Sequence, residues 1–220
     1  MNSFQIHTKL MRRSARLVPL LLVIILSGCL PSSKVMPTRF YTLVPTLLPP
    51  APENPGQPIE GSRIGLIDLD SADRIGSSIL VRLPDNQVEH LEYDRWADEP
   101  AGMIGHLLFL GLQQSGRFEE VTEAKNVTLP GYYLGGILLA FEGVYPDESN
   151  PSGIAICRVM LELRHSGNRD LVWSKMIEAN TEWNASASPK ALVQALDQAA
   201  REVVQQAVEA LTEEFSAHSR

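Results

Sequence analysis

Residues 171–215 read LVWSKMIEANTEWNASASPKALVQALDQAAREVVQQAVEALTEEF, and two periodicities meet inside them. In the first thirteen residues Leu171, Trp173, Ile177, Ala179 and Trp183 alternate with Ser174, Glu178, Asn180 and Glu182. A period of two puts one set on a packed sheet face and the other in water. After Ser188 and Pro189 the period lengthens. Leu192, Val193, Leu196, Ala200, Val203, Val204, Ala207, Val208 and Leu211 recur at i, i+3, i+4, giving one apolar stripe on a helix that runs to about Phe215. Ser188 suits the cap and Pro189 the first helical position. A long strand followed at once by a long amphipathic helix predicts a sheet with that helix laid across it; a coiled coil or partner helix is the other use of such a stripe.

The pattern extends upstream. Tyr132–Tyr145 and Gly153–His165 read as two more long strands, and Ser166-Gly167-Asn168-Arg169 is the turn into the third. Together they predict an antiparallel meander with one wet and one packed face. Before it, Met103, Ile104, Leu107, Leu108 and Leu112 share a helical face, with Asp98 as candidate cap, Pro100 in an early helical position and Gly116 as the stop. A short strand at Phe118–Val121 follows. Ile79–Leu83 and Gln87–Tyr93 flank Pro84-Asp85-Asn86 as a hairpin, and Arg63–Leu69 is a further strand. The expected fold is α+β: an antiparallel or mixed sheet with two main helices, about 99–115 and 188–215, packed on one face.

The amino terminus is different in kind. Lys9, Arg12, Arg13 and Arg16 precede LVPLLLVIIL at residues 17–26. That apolar run suits a secretory signal, and it is too short for a relaxed membrane span of roughly 20 residues. It ends Leu26-Ser27-Gly28-Cys29, the bacterial lipobox pattern. Leu26 suits an apolar peptidase pocket, and the small Ser27 and Gly28 leave the backbone reachable. The thiol of Cys29 is the nucleophile that takes a diacylglycerol group, and the new amino terminus is then acylated. Two or more chains make anchoring effectively stable, at about 0.8 kcal/mol per buried CH₂. The residues after Cys29 include no Asp, and by analogy with Gram-negative sorting this favours the outer membrane with a periplasmic body. The predicted organisation is a leader at 1–28, a lipidated cysteine and proline-rich tether at 29–61, in which 39–43 reads as an edge strand, and one domain at 62–220.

Composition narrows the functions. Without the leader, 15 basic side chains face 26 acidic ones, a charge near −11. Nucleic-acid binding needs Lys and Arg clusters, and no basic stripe follows residue 30. Cys29 and Cys157 could form a disulfide in an oxidising compartment, yet Cys157 sits on a strand face with Ala155, Val159 and Leu161, as a buried thiol would. His7 leaves with the leader, His218 lies in the tail, and His90, His106 and His165 have no metal-ligand spacing. No G-x-S-x-G, phosphate loop or dinucleotide fingerprint is present. Pairs such as Asp68/Asp70 and Glu213/Glu214 read as solvated surface. Tyr132, Tyr133, Phe141, Trp173 and Trp183 either fill the core between sheet and helix or line an apolar cleft for an acyl chain.

Several of these stretches carry a resemblance. After the lipobox come Phe40-Tyr41-Thr42-Leu43, Asp73-Arg74-Ile75, Ile79-Leu80-Val81-Arg82, the Tyr93-Asp94-Arg95-Trp96-Ala97-Asp98-Glu99-Pro100 stretch, Gly116-Arg117-Phe118 and Phe141-Glu142. With the long final helix, this resembles the ABC-type transport auxiliary lipoproteins, which include the paraquat-inducible protein C lipoproteins. Here Asp98 stands between Ala97 and Glu99, where the family usually runs Ala-Glu-Pro. The resemblance implies an outer-membrane lipoprotein that works with an ABC permease, an ATPase and an MCE-domain (mammalian cell entry) protein in moving lipids. It implies no catalytic residue and no cofactor beyond the diacylglycerol and N-acyl chain on Cys29. Homo-oligomerisation into a ring matching a multimeric conduit fits the same expectation. Tyr93, Arg95 and Trp96 have two readings: a core plug at a helix start, or an exposed anchor for the MCE partner, since Tyr, Trp and Arg dominate interface hot spots. A lipid-binding shuttle with its own apolar pocket is the alternative function, and a periplasmic hydrolase a third.

Overall fold

The computed structural model describes residues 36–44, 56–126, 130–145, 152–184 and 188–218. Cys29 and its lipobox lie outside them. A compact unit spans Thr38–Arg220.

Its spine is β7, Tyr132–Val144, a strand of 13 residues. On one edge β7 pairs antiparallel with β8 (Ser152–His165), which pairs antiparallel with β9 (Leu171–Asn184). This is the meander expected from the alternation. Val159, Leu161, Leu163, Ile177 and Ala179 are buried, while Met160, Glu162, Met176 and Glu178 face outward. Leu171 departs from the pattern and is 50 % exposed. It is the first residue of its strand, next to a register shift between Leu163 and Arg164 that breaks the alternation.

The other edge of β7 is built in instalments. Strands β2 (Ile59–Leu66), β3 (Asp70–Ser71) and β4 (Ser78–Arg82) all run parallel to β7. They meet it in turn at Tyr132–Leu134, Ile137–Leu138 and Glu142–Val144. One stretch of chain thus follows the whole spine, leaving it at residues 67–69 and 72–77. Beyond it lie β5 (Val88–Trp96), antiparallel to β4, and β1 (Arg39–Tyr41), parallel to β5 at the end of the sheet. On the far side of β2, β6 (Phe118–Glu123) pairs parallel. The hairpin between β4 and β5 turns at Asn86, whose φ of 67° suits an asparagine, and the Asp85 carboxylate accepts the Gln87 N–H at 2.9 Å.

Two helices cover one face. Helix α1 is Pro100–Ser115 and α2 is Pro189–His218. Pro100 sits at the start of α1, but Glu99 rather than Asp98 is the cap residue, and its side chain makes no capping bond. The strand before α1, read from the sequence as ending at Tyr93, stays extended through Trp96, where β1 pairs with residues 94–96. Gly116 ends α1 in the left-handed region, φ 61°. Helix α2 packs across β8 and β9 and against α1. The helices pack tightly at Gly111, where an added Cβ would lie 2.5 Å from Val204 Cγ1. The aromatics close the core: Phe141 lies 5.1 Å from Trp96 between ring centroids, and Phe215 packs edge-on to Phe118 and Tyr132.

Candidate functional site

Four polar residues are buried among the described residues: Ser62, Asp94, Glu142 and Asp197. Each binds part of the amino-terminal half. The Ser62 hydroxyl donates to Ile59 O and accepts the Glu119 N–H, at 2.5 and 2.9 Å, locking β2 to β6. Asp94 accepts from the Tyr41 hydroxyl and the Arg39 guanidinium, both at 2.8 Å. Burial, and then the bond to Asp94, hold the Tyr41 phenol above its ordinary range. Asp197 on α2 accepts the Val44 N–H at 3.2 Å and pairs with Arg201. Glu142 on β7 takes Arg82 at 2.5 Å and Arg74 at 3.3 Å on one carboxylate oxygen, and the other oxygen has no partner among the described residues. A three-residue strand cannot fix its own place by apolar burial, and these charge-assisted bonds supply the register.

β1 in turn presents a surface. Trp96 is 1 % exposed against Phe141, so it is a core plug and offers no area to a partner. Arg95 points to the other face of β5, where its guanidinium donates to Ser78 Oγ at 2.5 Å. Its partner in register on β1 is Phe40, which is 67 % exposed. Tyr93, two residues before Arg95, shares that face, and a hydrogen bond with Glu92 raises its phenol above the ordinary range. An exposed phenylalanine, a half-buried tyrosine and an arginine therefore lie together near the end of the sheet. Of the candidates from sequence, Tyr93 and Arg95 belong to this patch and Trp96 does not. Phe40 was missed as a site residue because its outward side follows from pairing with β5, which no local pattern shows.

A half-open cleft of about 650 Å³ lies where the chain leaves the sheet between β2 and β3. Leu43, Leu69, Met103 and Leu107 form its apolar walls, and Asp68, Asp98, Glu99 and His106 its rim. A smaller recess of about 90 Å³ continues it along α1 past Gly102 and Phe109. The sequence pattern gave no sign of it, since its residues come from three separate segments.

Other chemistry is limited. Cys157 is fully buried, and burial pushes its thiol far up, so it is no nucleophile at neutral pH. Among the described residues no three His, Cys, Asp or Glu side chains are grouped to hold a metal ion, and no helix is long and apolar enough to cross a membrane.

Known structures share this architecture. A Xanthomonas campestris protein of the DUF330 family superimposes with a TM-score of 0.69 at 19 % identity, covering 82 % of this chain and 99 % of its own. A second, uncharacterised protein gives a TM-score of 0.57 at 14 % identity, covering 80 % and 99 %. At such identities the likeness is one of fold. No curated protein matches by sequence. The sequence model for the ABC-type transport auxiliary lipoprotein component matches residues 46–208. The match takes in the spine, the meander and most of α2, and the chain belongs to the ABC-type transport auxiliary lipoprotein family.

Proposed function

We propose that the protein is a lipid-anchored, periplasm-facing lipoprotein of the outer membrane that docks or caps an MCE-type conduit for an ABC lipid transporter. It acts without catalysis, as a binding part of that system. Acylation at Cys29 holds it on the membrane, and a ring of copies matching a multimeric conduit belongs to the same reading. The observation that carries it is the Phe40–Tyr93–Arg95 patch. Aromatic and arginine side chains are the residues on which interfaces concentrate their binding energy. Here Phe40 stands exposed on β1, held in place by the Asp94 ion pair, beside the half-buried Tyr93 and Arg95 of β5.

The test is capture of the MCE-domain partner by the lipidated protein, with thermal unfolding followed in parallel. Phe40→Ala and Arg95→Ala are expected to cut capture at least tenfold, about 1.4 kcal/mol or more, with little change in Tm. Full capture by both variants would refute this surface. Failure of the unaltered protein to capture any MCE-domain partner would refute the function.

A further inference from the structure

We infer that the cleft between α1 and the β2–β3 step is a binding site for an amine-headed amphiphile, an apolar chain ending in an ammonium group. This does not depend on the docking role. The first observation is the cleft itself, whose volume of about 650 Å³ falls in the range of small-molecule sites. Leu43, Leu69, Met103 and Leu107 offer nothing to a polar ligand, and the hydroxyl of Thr42, the other lining residue there, is turned to Leu43 O and Met103 Sδ, so the interior favours an apolar chain.

The second observation is the charge at the mouth. Asp68 comes from the β2–β3 step, and Asp98 and Glu99 from the approach to α1. Among the described residues no Lys or Arg lines the cleft or its extension. A cationic head is favoured there and an anionic one is repelled, the more so as the apolar walls lower the local dielectric.

The third observation is a missing side chain. Gly102 lines both the cleft and its extension, and a Cβ built on it would meet nothing within 4 Å. Glycine is a weaker helix former than alanine, and packing within the chain does not require it at this position. Gly111 on the same helix is the contrast, since there Val204 leaves no room for a Cβ. The vacancy at Gly102 keeps the mouth open beside the rim carboxylates.

The probe is dodecylammonium, titrated below its micellar concentration into the mature polypeptide carrying Cys29→Ser, so that no acyl chain of the protein competes. Backbone amide NMR reads the site. Saturable shifts are expected at Leu69, Gly102, Met103 and His106, with dodecyl sulfate binding at least about tenfold more weakly. Gly102→Leu fills the mouth and is expected to weaken binding about tenfold or more with Tm unchanged or raised. Asp98→Asn with Glu99→Gln, which leaves the helix packing alone, is expected to weaken it about fivefold and to reduce its salt dependence to that of the remaining Asp68. Should Gly102→Leu fail to fold, this charge pair decides the matter. Shifts spread over the acidic outer face of α2, equal affinity for dodecyl sulfate, or undiminished binding by the variants would each overturn the proposal. So would a response to a leucine–lysine peptide with none to dodecylammonium, which would reassign the cleft to a partner protein.

Discussion

The two halves of the sheet are held by different forces. On the β8–β9 side the strands are 14 residues long and their inner faces are aliphatic, with Ala155, Cys157, Val159, Leu161 and Leu163 at 1 % exposure or less. Helix α2 answers with Leu196, Ala199, Ala200, Ala207 and Leu211, all fully buried. On the other side β1, β3 and β4 have three, two and five residues. All four buried polar residues bind segments of that side. Long strands define their register by accumulated apolar burial. Short ones bury too little, and a directional bond to a buried carboxylate takes over. The two proposed binding surfaces, Phe40's patch and the cleft, both lie on the polar-clamped side.

Substitutions can break this contrast. The largest effect is expected on the aliphatic side. Leu196→Ala should lose about 2–5 kcal/mol of unfolding free energy in a urea titration, because a fully buried leucine leaves a cavity between α2 and the sheet. A loss under 1 kcal/mol would mean that α2 is held loosely, and the contrast would fail.

Glu142→Leu comes next, at about 2–3 kcal/mol. That is below the 3–5 kcal/mol typical when a buried pair loses one partner, because both arginines reach water. A neutral result would show that desolvating this carboxylate costs as much as its two arginines return. Gly111→Ala should cost about 1–3 kcal/mol through overpacking against Val204, again by urea titration, whereas alanine at Gly102 should leave stability unchanged or raise it.

Asp94→Asn should act locally. Amide exchange in residues 39–41 is expected to quicken about tenfold while meander amides keep their protection, a local loss of about 1.4 kcal/mol. Uniform quickening across the sheet would show that β1 is part of the global core instead.

The smallest effect concerns pH. The Arg158 guanidinium, and then the Asn180 amide, hold the Glu178 carboxyl below its ordinary value. A depressed carboxylate stabilises the fold above its unfolded pKa, and that contribution is lost as pH falls through the folded one. Glu178→Gln should therefore differ slightly from the parent at neutral pH and converge with it in acid, as followed by thermal unfolding. Since both side chains are partly exposed, added salt should also shrink the difference.

How far the sequence could be read follows the same division. The meander and α2 were legible to within a few residues, because each buries a regular apolar face that local periodicity records. The strand before α1 was read to end at Tyr93 and runs on to Trp96: Asp94 and Trp96 alternate as in a strand, and what keeps them extended is β1, some fifty residues earlier in the chain. The candidate pair Tyr93 and Arg95 was visible as residue types. Trp96, with the same credentials, turned inward to stack on Phe141.

By itself the sequence determined the α+β class, the two helices, the acidic body and, through its resemblance, the family. These depend on residue type and on spacing within one segment. Only the tertiary structure decided which side of β5 faces outward, that Phe40 joins it, that four buried polar groups tie down segments of the amino-terminal half, and that a cleft opens beside Gly102. Each of those brings together residues from separate segments. Long-range pairing and the directional bonds of buried carboxylates choose among partners that are equally available in the unfolded chain.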